Sequence, residues 1–293
     1  MKVSIITPSF NQGNFIAKTI ESVITQAYAP LEYVVMDGGS VDNTVAVLKQ
    51  YHDQLTYVSE TDRGQGHAVN KGIMQTTGDM IGWLNSDDIY YPSAIKKVCQ
   101  FFAAHPDVDV VYGEANQIDR DNKVFDRYPT ESWNLERLKR RCFVSQPATF
   151  FRRRVIAKYG LLDEQLQFCM DYEYWLRLAL HGAKFAYLPD ILAGTRIYAE
   201  TKSSRGYLSA HLEAVNMLQK SLGYIPSDWI VNYASAKVKT ETLHQFPHPL
   251  FIMGVWTHVW KIAGLHNRGL ARLQVGLQAQ WAMVKKLRFF EVA

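Results

Sequence analysis

The sequence predicts an α/β fold built on a mostly parallel sheet, followed by a C-terminal helical extension. Two observations predict it. Over the first 113 residues, short apolar runs of strand length alternate with stretches whose apolar residues recur at helical spacing. Four of these runs also end in clusters of Asp, Asn, Ser, Thr and Gly, and in an open α/β sheet ligands bind beyond the carboxyl ends of the strands.

Taken in order, Val3 to Thr7 reads as a buried strand that stops near Pro8. Asn14 to Tyr28 carries Phe15, Ile16, Ile20, Val23 and Ile24 on one helical face. Tyr33 to Met36 is a second strand, and Asp42 is placed to cap a helix reaching Tyr51. Leu55 to Ser59 is a third strand, Gly66 to Gln75 a helix, and Met80 to Leu84 a fourth strand. Pro92 suits the first position of a helix to Ala104, since its missing N–H has no partner there anyway. Val108 to Tyr112 is a fifth strand. Asp119 to Asn122 is a turn joining Gln117-Ile118 to Val124-Phe125 in a hairpin. Ala148 to Arg152 and Lys184 to Leu188 are strands, with a helix at Asp171 to Leu180. The remainder reads as helices at 207–222, 227–243, 251–264 and 268–286. The expected domains are 1–205, catalytic, and 206–293, the helical extension.

Composition narrows the function. Hydrophobic residues make up 47% and charged residues 20% of the 293, which fits a packed globular chain rather than a disordered one. A net charge of +4 gives no footprint for nucleic acid. Cys99, Cys142 and Cys169 are scattered, so neither a zinc site nor a disulfide framework is expected, and a reducing cytoplasm fits. The opening MKVSIITPSF reads as a strand rather than a signal peptide, and no apolar run is long enough to span a bilayer. P-loop, dinucleotide-fingerprint and GxSxG motifs are absent.

The four polar clusters are Thr7 to Asn11, Asp37 to Ser40, Glu60 to Gly64 and Asn85 to Asp88. Any one reads equally well as an ordinary turn; four in register with four strands point to a site. In Asn85-Ser86-Asp87-Asp88, neighbouring carboxylates repel one another, and a hard divalent cation such as Mg2+ or Mn2+ relieves that repulsion with oxygen ligands. One of Asp87 and Asp88 is expected to bind the cation and the other to close the turn. Trp83 and Trp175 read as core.

The stretches SIITPSFNQGNFIAKTIESVITQ, EYVVMDGGSVDNT, ETDRGQGHAVNKGIMQTTGDMIGWLNSDD, SQPATFFRR and MDYEYWLRLALHG, in this order, resemble family 2 glycosyltransferases. They cover about two thirds of the chain. The resemblance implies a GT-A fold, a Rossmann-like nucleotide-diphospho-sugar transferase, and an inverting transfer from a nucleotide-diphosphate sugar, UDP by family habit, to an acceptor hydroxyl in polysaccharide, O-antigen or glycolipid synthesis. It implies that Thr7, Pro8 and Phe10 line the base pocket and that Asp37 bonds the base or ribose. Asp62 and Arg63 would face the nucleotide, with Asn70 and Lys71 orienting it. Asn85-Ser86-Asp87 stands at the family's metal triplet, with Asp87 the metal ligand. Asp171 stands at the general base, with Gln146 and Pro147 beside the acceptor. For a sugar donor, Tyr90 and Tyr91 are the better candidates for contact, although helix packing explains them nearly as well. Two positions depart from the pattern: Asn85, where the family often has Asp, and Tyr198, where it often has His.

The tail from Gln245 holds six Lys/Arg and one Glu, with Trp256, Trp260, Trp281, Phe251, Phe289 and Phe290 interleaved. Two readings weigh equally: peripheral attachment to the inner membrane face, with a lipid-linked acceptor, or a cap packed on the catalytic domain or on a second copy, forming a homo-oligomer. Arg137, Lys139, Arg140 and Arg141 form a further basic patch, read as a solvated face or a contact for an acceptor phosphate. Two rival functions stand against transfer. A sugar-phosphate nucleotidyltransferase needs a glycine- and basic-rich loop after the first strand, which Ser9 to Gly13 is not. A nucleotide-sugar-binding protein impaired in catalysis is kept open by Asn85 and Tyr198.

Overall fold

A computed structural model describes residues 1–242, 248–266 and 276–277. Along the chain the elements are β1 (Val3–Ser9), α1 (Ile16–Ile24), β2 (Leu31–Asp37), α2 (Thr44–Leu48), β3 (Thr56–Ser59), α3 (Gln65–Gln75), β4 (Met80–Trp83), β5 (Ile89–Tyr90), α4 (Ala94–Ala104), β6 (Val110–Ile118), β7 (Val124–Arg127), α5 (Leu135–Arg140), β8 (Thr149–Arg152), α6 (Arg154–Tyr159), α7 (Met170–Leu180), β9 (Phe185–Arg196), α8 (Lys202–Arg205), α9 (Tyr207–Leu222), α10 (Ser227–Thr242) and α11 (His248–His266). They fall in two compact units: Met1–Leu135 with Phe143–Ala199, and Glu136–Cys142 with the chain from Glu200 onward.

The first unit is organised by a nine-stranded sheet in the order β3-β2-β1-β4-β8-β6-β9-β5, with β7 paired to β6. β3, β2, β1 and β4 run parallel, while β8 is antiparallel to both of its neighbours. Every residue of β1 is buried, as expected of a strand covered on both faces. α1 buries Ile16, Ile20 and Val23 of the face that its spacing predicts, and Thr19 with them, while Ile24 is half-buried. Ile16, Ile20 and Val23 join Val3, Ile5, Val35, Met80, Leu84, Val98, Phe102 and Phe150 in the core.

Besides β5, α5, α6 and α8, which the sequence reading lacked, three elements differ from it in their bounds. Pro92 is not the first helical residue. Tyr91 is still bonded through its N–H to Leu192 O, and Ser93 turns left-handed (φ 65°) before α4 begins at Ala94. β6 runs on to Ile118 because its polar second half, Glu114 to Gln117, is paired along β9, where no apolar run announces it. β9 runs twelve residues through Pro189, because the register jumps from Gly113↔Leu188 to Glu114↔Ile191 and leaves Pro189 outside the ladder.

In the second unit, Val215, Ile225, Ile230, Val231, Ala234, Val238, Val255, Val259 and Ile262 form the core of α9, α10 and α11. Gly223 (φ 77°) closes α9 in the left-handed conformation usual at a helix end. In the basic patch, Arg140 pairs with Asp228 at 2.6 Å and Lys139 with Glu136 at 2.6 Å. The helix read at 268–286, apart from residues 276–277, lies outside the described residues, as do Trp281, Phe289, Phe290 and the side chain of Phe251. No helix among the described residues is long and apolar enough to cross a membrane.

Candidate active site at the sheet's carboxyl edge

The parallel run β3-β2-β1-β4 brings four strand ends, and the loops after them, to one edge. With neighbouring strands ~4.8 Å apart, the loops after β2 and β4 start about 10 Å from each other. At the end of β1, Thr7 is fully buried and its hydroxyl shares a 3.2 Å hydrogen bond with that of Tyr33, on the interior side. Pro8 is buried too, whereas the Phe10 ring is 60% exposed. Asn11 (φ 53°) ties this end to the next loop: its N–H donates to Ser40 Oγ (2.7 Å) and its Oδ1 accepts from Val41 N–H (2.9 Å).

Asp37, at the end of β2, is 2% exposed. Its carboxylate accepts from Ser40 Oγ (2.5 Å), Ser40 N–H (3.0 Å) and Ser59 Oγ (2.6 Å), so it folds its own Gly38-Gly39-Ser40 turn. Asp62 faces that turn from the loop after β3. A Cβ on Gly38 would lie 2.8 Å from Asp62 Oδ2, which is why the position takes glycine. Asp62 Oδ1 accepts from Gly64 N–H at 2.7 Å. Of the two acids, Asp62 is the more open to solvent.

Behind this loop, Asn70 is 4% exposed and its amide is taken up by the chain. Nδ2 donates to Leu162 O (2.9 Å) and Glu164 Oε1 (3.1 Å), and Oδ1 accepts from Leu162 N–H (3.0 Å). Arg63 donates to Glu164 Oε2 at 2.5 Å, and Lys71 pairs with Glu60. Burial pushes the Glu164 carboxyl up, but the bonds from Asn70 and Arg63 outweigh it and hold the group below the usual range. Asn70 therefore staples the 162–164 segment, a role no local pattern announces.

In the loop after β4, Thr19 Oγ1 donates to Ser86 O (2.9 Å) and Asp88 O (2.8 Å). Asn85 makes four bonds. Its Oδ1 accepts from Trp83 Nε1 (2.9 Å) and Gln65 Nε2 (2.7 Å), and its Nδ2 donates to Gln146 Oε1 (2.9 Å) and Asp88 Oδ2 (3.3 Å). Asp88, 3% exposed, also accepts from Arg196 N–H at 2.8 Å. Burial and the neighbouring Asp87 charge push the Asp88 carboxyl well above the usual range. Asp87 is half-buried, its carboxyl is also raised by burial, and its Oδ2 accepts from Tyr198 OH at 3.1 Å. Burial, with the Asp87 charge, pushes the Tyr198 phenol up to about 12, so it stays a neutral donor. Arg196 holds the arrangement, donating to Asp87 O (2.7 Å), Asp119 O (2.5 Å) and Asn122 Oδ1 (2.5 Å).

This donor set fits a hard divalent cation in one way. Two adjacent carboxylates oppose each other's ionisation, and a cation removes that penalty. Asp88 has both oxygens engaged inside the protein, which leaves Asp87 as the ligand that fits. No group of three or more His, Cys, Asp or Glu that could hold a metal occurs among the described residues. A cation at Asp87 would take its other ligands from a bound diphosphate and water, as Mg2+ does with one or two carboxylates.

Gln146 opens a short 3₁₀ turn and is 8% exposed; its Nε2 donates to Trp83 O at 2.5 Å. Pro147 follows, buried. Asp171 is the second residue of α7, half-buried, with Oδ1 accepting from Tyr172 N–H at 2.8 Å. The start of α7 reaches this edge through Gly66: a Cβ there would lie 3.5 Å from Glu164 Cα and 3.7 Å from Met170 Sδ, while the adjacent Gln65 bonds Asn85. Arg177 fixes the approach by donating to Glu173 Oε1 (2.7 Å), Tyr159 O (2.5 Å) and Leu161 O (2.8 Å). Trp83 and Trp175 are core. Tyr90, favoured from sequence as a sugar contact, is 3% exposed and stacks on Phe150 at 5.3 Å, because β5 turns it into the core. Tyr91 is half-buried and accepts from Asn116 Nδ2 at 3.1 Å. Sequence reading missed Gln65 and Glu164, single polar residues whose partners lie 20 and about 100 positions away.

The profile described as Glycosyl transferase family 2 matches residues 4–160. An uncharacterized glycosyltransferase of Rickettsia felis is 31% identical over 235 residues, 75% of this chain and 38% of that protein. The chain spans less than two thirds of the length of such curated relatives. Among solved structures, Staphylococcus aureus TarS 1–349 in complex with UDP-GlcNAc aligns with a TM-score of 0.65 at 16% identity, over 98% of this chain and 92% of that one. The mannosyltransferase PcManGT from Pyrobaculum calidifontis, in complex with GDP-Man and Mn2+, aligns with a TM-score of 0.57 at 17% identity, over 98% and 82%. The shared architecture is the GT-A fold.

Proposed function

The chain belongs to glycosyl transferase family 2, and on that premise we propose that it is a glycosyltransferase that moves a sugar from a nucleotide-diphosphate donor to an acceptor hydroxyl with inversion at the anomeric carbon. The observation that carries this reading is the convergence on one sheet edge of Asp62, Asp87 and the start of α7 with Asp171, linked through Gly66, Gln65 and Asn85. Phe10 offers an exposed ring for a nucleobase, and Asp62 an acceptor for base or ribose. UDP is the nucleotide of choice, since the TarS structure holds UDP-GlcNAc; GDP, as in PcManGT, is the alternative.

Asp171 takes the proton of the acceptor hydroxyl as its oxygen attacks the anomeric carbon. The bond to the diphosphate breaks on the opposite face, and the leaving group departs with the electron pair. Proton removal of this kind contributes about 10²–10⁴-fold. Asp87 is the residue that would hold a divalent cation, which when bound would supply neutralising charge to the departing diphosphate. Arg196 and Tyr198 hold Asp87 in place, and Asn70 with Arg177 hold the segment that leads to Asp171. The acceptor, a saccharide or a lipid-linked saccharide, meets the protein beside Gln146 and Pro147. In this reading 1–205 is the catalytic domain and 206–293 an extension that binds a membrane surface or serves as a cap for the catalytic domain or a second copy.

The test is release of nucleoside diphosphate from a panel of UDP-, GDP- and dTDP-sugars, with Mn2+ and after chelation. Asp171→Asn is expected to lose at least about 100-fold in kcat while binding UDP normally. A folded Asp171→Asn protein at full rate removes Asp171 from the mechanism.

A further inference from the structure

The side chain of Asn85 has two acceptor directions on its oxygen and two protons on its nitrogen, and all four are used. Trp83 and Gln65 donate to the oxygen, while Gln146 and Asp88 accept from the nitrogen. Three of the partners come from different parts of the edge: Gln65 opens α3 next to the Gly66 contact with the 163–170 segment, Gln146 lies in the turn before β8, and Asp88 is the buried acid beside Asp87. We infer that Asn85 is a positioning residue, a neutral four-way link that joins the α3 side of the cleft to Gln146 and holds Asp88 in register, and not a ligand of the cation. This rests on the assignment of the edge as the donor and acceptor site.

The geometry also explains why an amide stands here. A carboxylate would put a second oxygen where Nδ2 now lies, 2.9 Å from Gln146 Oε1 and 3.3 Å from Asp88 Oδ2, and would lack both protons that Asn85 donates to them. Gln146 cannot relieve this by turning its amide over, because its Nε2 donates to Trp83 O at 2.5 Å. Three oxygens would then meet beside a buried acid, and the two donor bonds from position 85 to Gln146 and Asp88 would be lost.

The test uses the full chain carrying Asn85→Asp, with folding checked by circular dichroism and Mn2+ binding read by electron paramagnetic resonance in the presence of UDP. Turnover is followed as UDP release from UDP-GlcNAc. Misaligned reacting groups lower kcat, so the expected loss is roughly 30-fold or more in kcat. Donor KM stays within about threefold, as expected when binding contacts are spared, and Mn2+ is held no more tightly than in the wild type. Mn2+ held several-fold more tightly with kcat kept would overturn the inference, since that is how a cation ligand behaves. A second measurement needs neither turnover nor a folded Asn85→Asp protein. In ¹⁵N-tryptophan-labelled wild type, the Trp83 indole N–H, assigned through Trp83→Phe, reports on Asn85 Oδ1. Gln65→Ala and Gln146→Ala should each move this resonance, and the double variant should depart from the sum of the two. A resonance that stays in place in either single variant sinks the link. Absence of UDP release by the wild type counts against the donor assignment alone, and the indole measurement still decides the role of Asn85.

Discussion

Replacing Arg196 by methionine removes the side chain that binds the β6–β7 hairpin to the loop after β4. Arg196 is 3% exposed, and its guanidinium makes three hydrogen bonds and sits 4.9 Å over the Phe15 ring. The partners are not equivalent. Asn122 and Asp119 are both half-buried, so water takes over part of what they lose, about 0.5–1.5 kcal/mol each. The bond to Asp87 O lies under the site, and a charge-assisted bond there is worth about 1.5–3 kcal/mol. Methionine recovers some packing, and removing a buried guanidinium relieves its own desolvation. The net expectation is a loss of about 3–5 kcal/mol, in the range for breaking a buried charged arrangement. Arg196→Lys keeps the charge but not the fork, and should retain only part of the difference. Urea unfolding of the full-length variants, compared at unchanged slope, measures it. A loss below about 1 kcal/mol for Arg196→Met, with UDP release intact, would refute the view that Arg196 organises the Asp87–Asp88 turn.

Three further outcomes follow from named contacts. Burial pushes the Glu32 carboxyl up, but bonds from Lys2, Thr77 and Ser4 outweigh this and hold it at about 2, against an ordinary 4.5. The folded value is depressed, so the stabilisation is full above pH 4.5 and fades as pH falls toward 2. Because Glu32 is partly solvent-exposed, Glu32→Gln should cost only about 1–2 kcal/mol at pH 7, shrinking to nothing in urea titrations near pH 2. Gly82→Ala would set a Cβ 2.7 Å from Ile5 Cδ1 and 2.8 Å from both Phe150 Cε1 and Tyr90 Oη, so overpacking should lower stability by about 1–3 kcal/mol; an unchanged melting temperature would contradict it. Asn70→Ala strands the N–H and C=O of Leu162, itself 4% exposed, and should cost about 2–4 kcal/mol together with faster amide hydrogen exchange across 161–169.

The sequence by itself determined the parallel half of the sheet, because apolar runs and helical periodicity are local patterns, and it determined that Thr7 to Asn11, Asp37 to Ser40, Glu60 to Gly64 and Asn85 to Asp88 share an edge, because parallel strands leave no other place for the loops that follow them. It did not reveal β5, the polar half of β6 or the passage of β9 through Pro189, since each exists only by pairing with a distant strand. Tertiary structure alone decided which polar groups at the edge still face outward. Asp37 is closed by Ser40 and Ser59, Asp88 by Arg196 from 108 residues away, and Asn70 by Leu162 from 92 residues away. A carboxylate or amide has the same chemistry in the sequence whether it meets a ligand or its own chain, and the difference is made by partners that only folding brings within three ångströms.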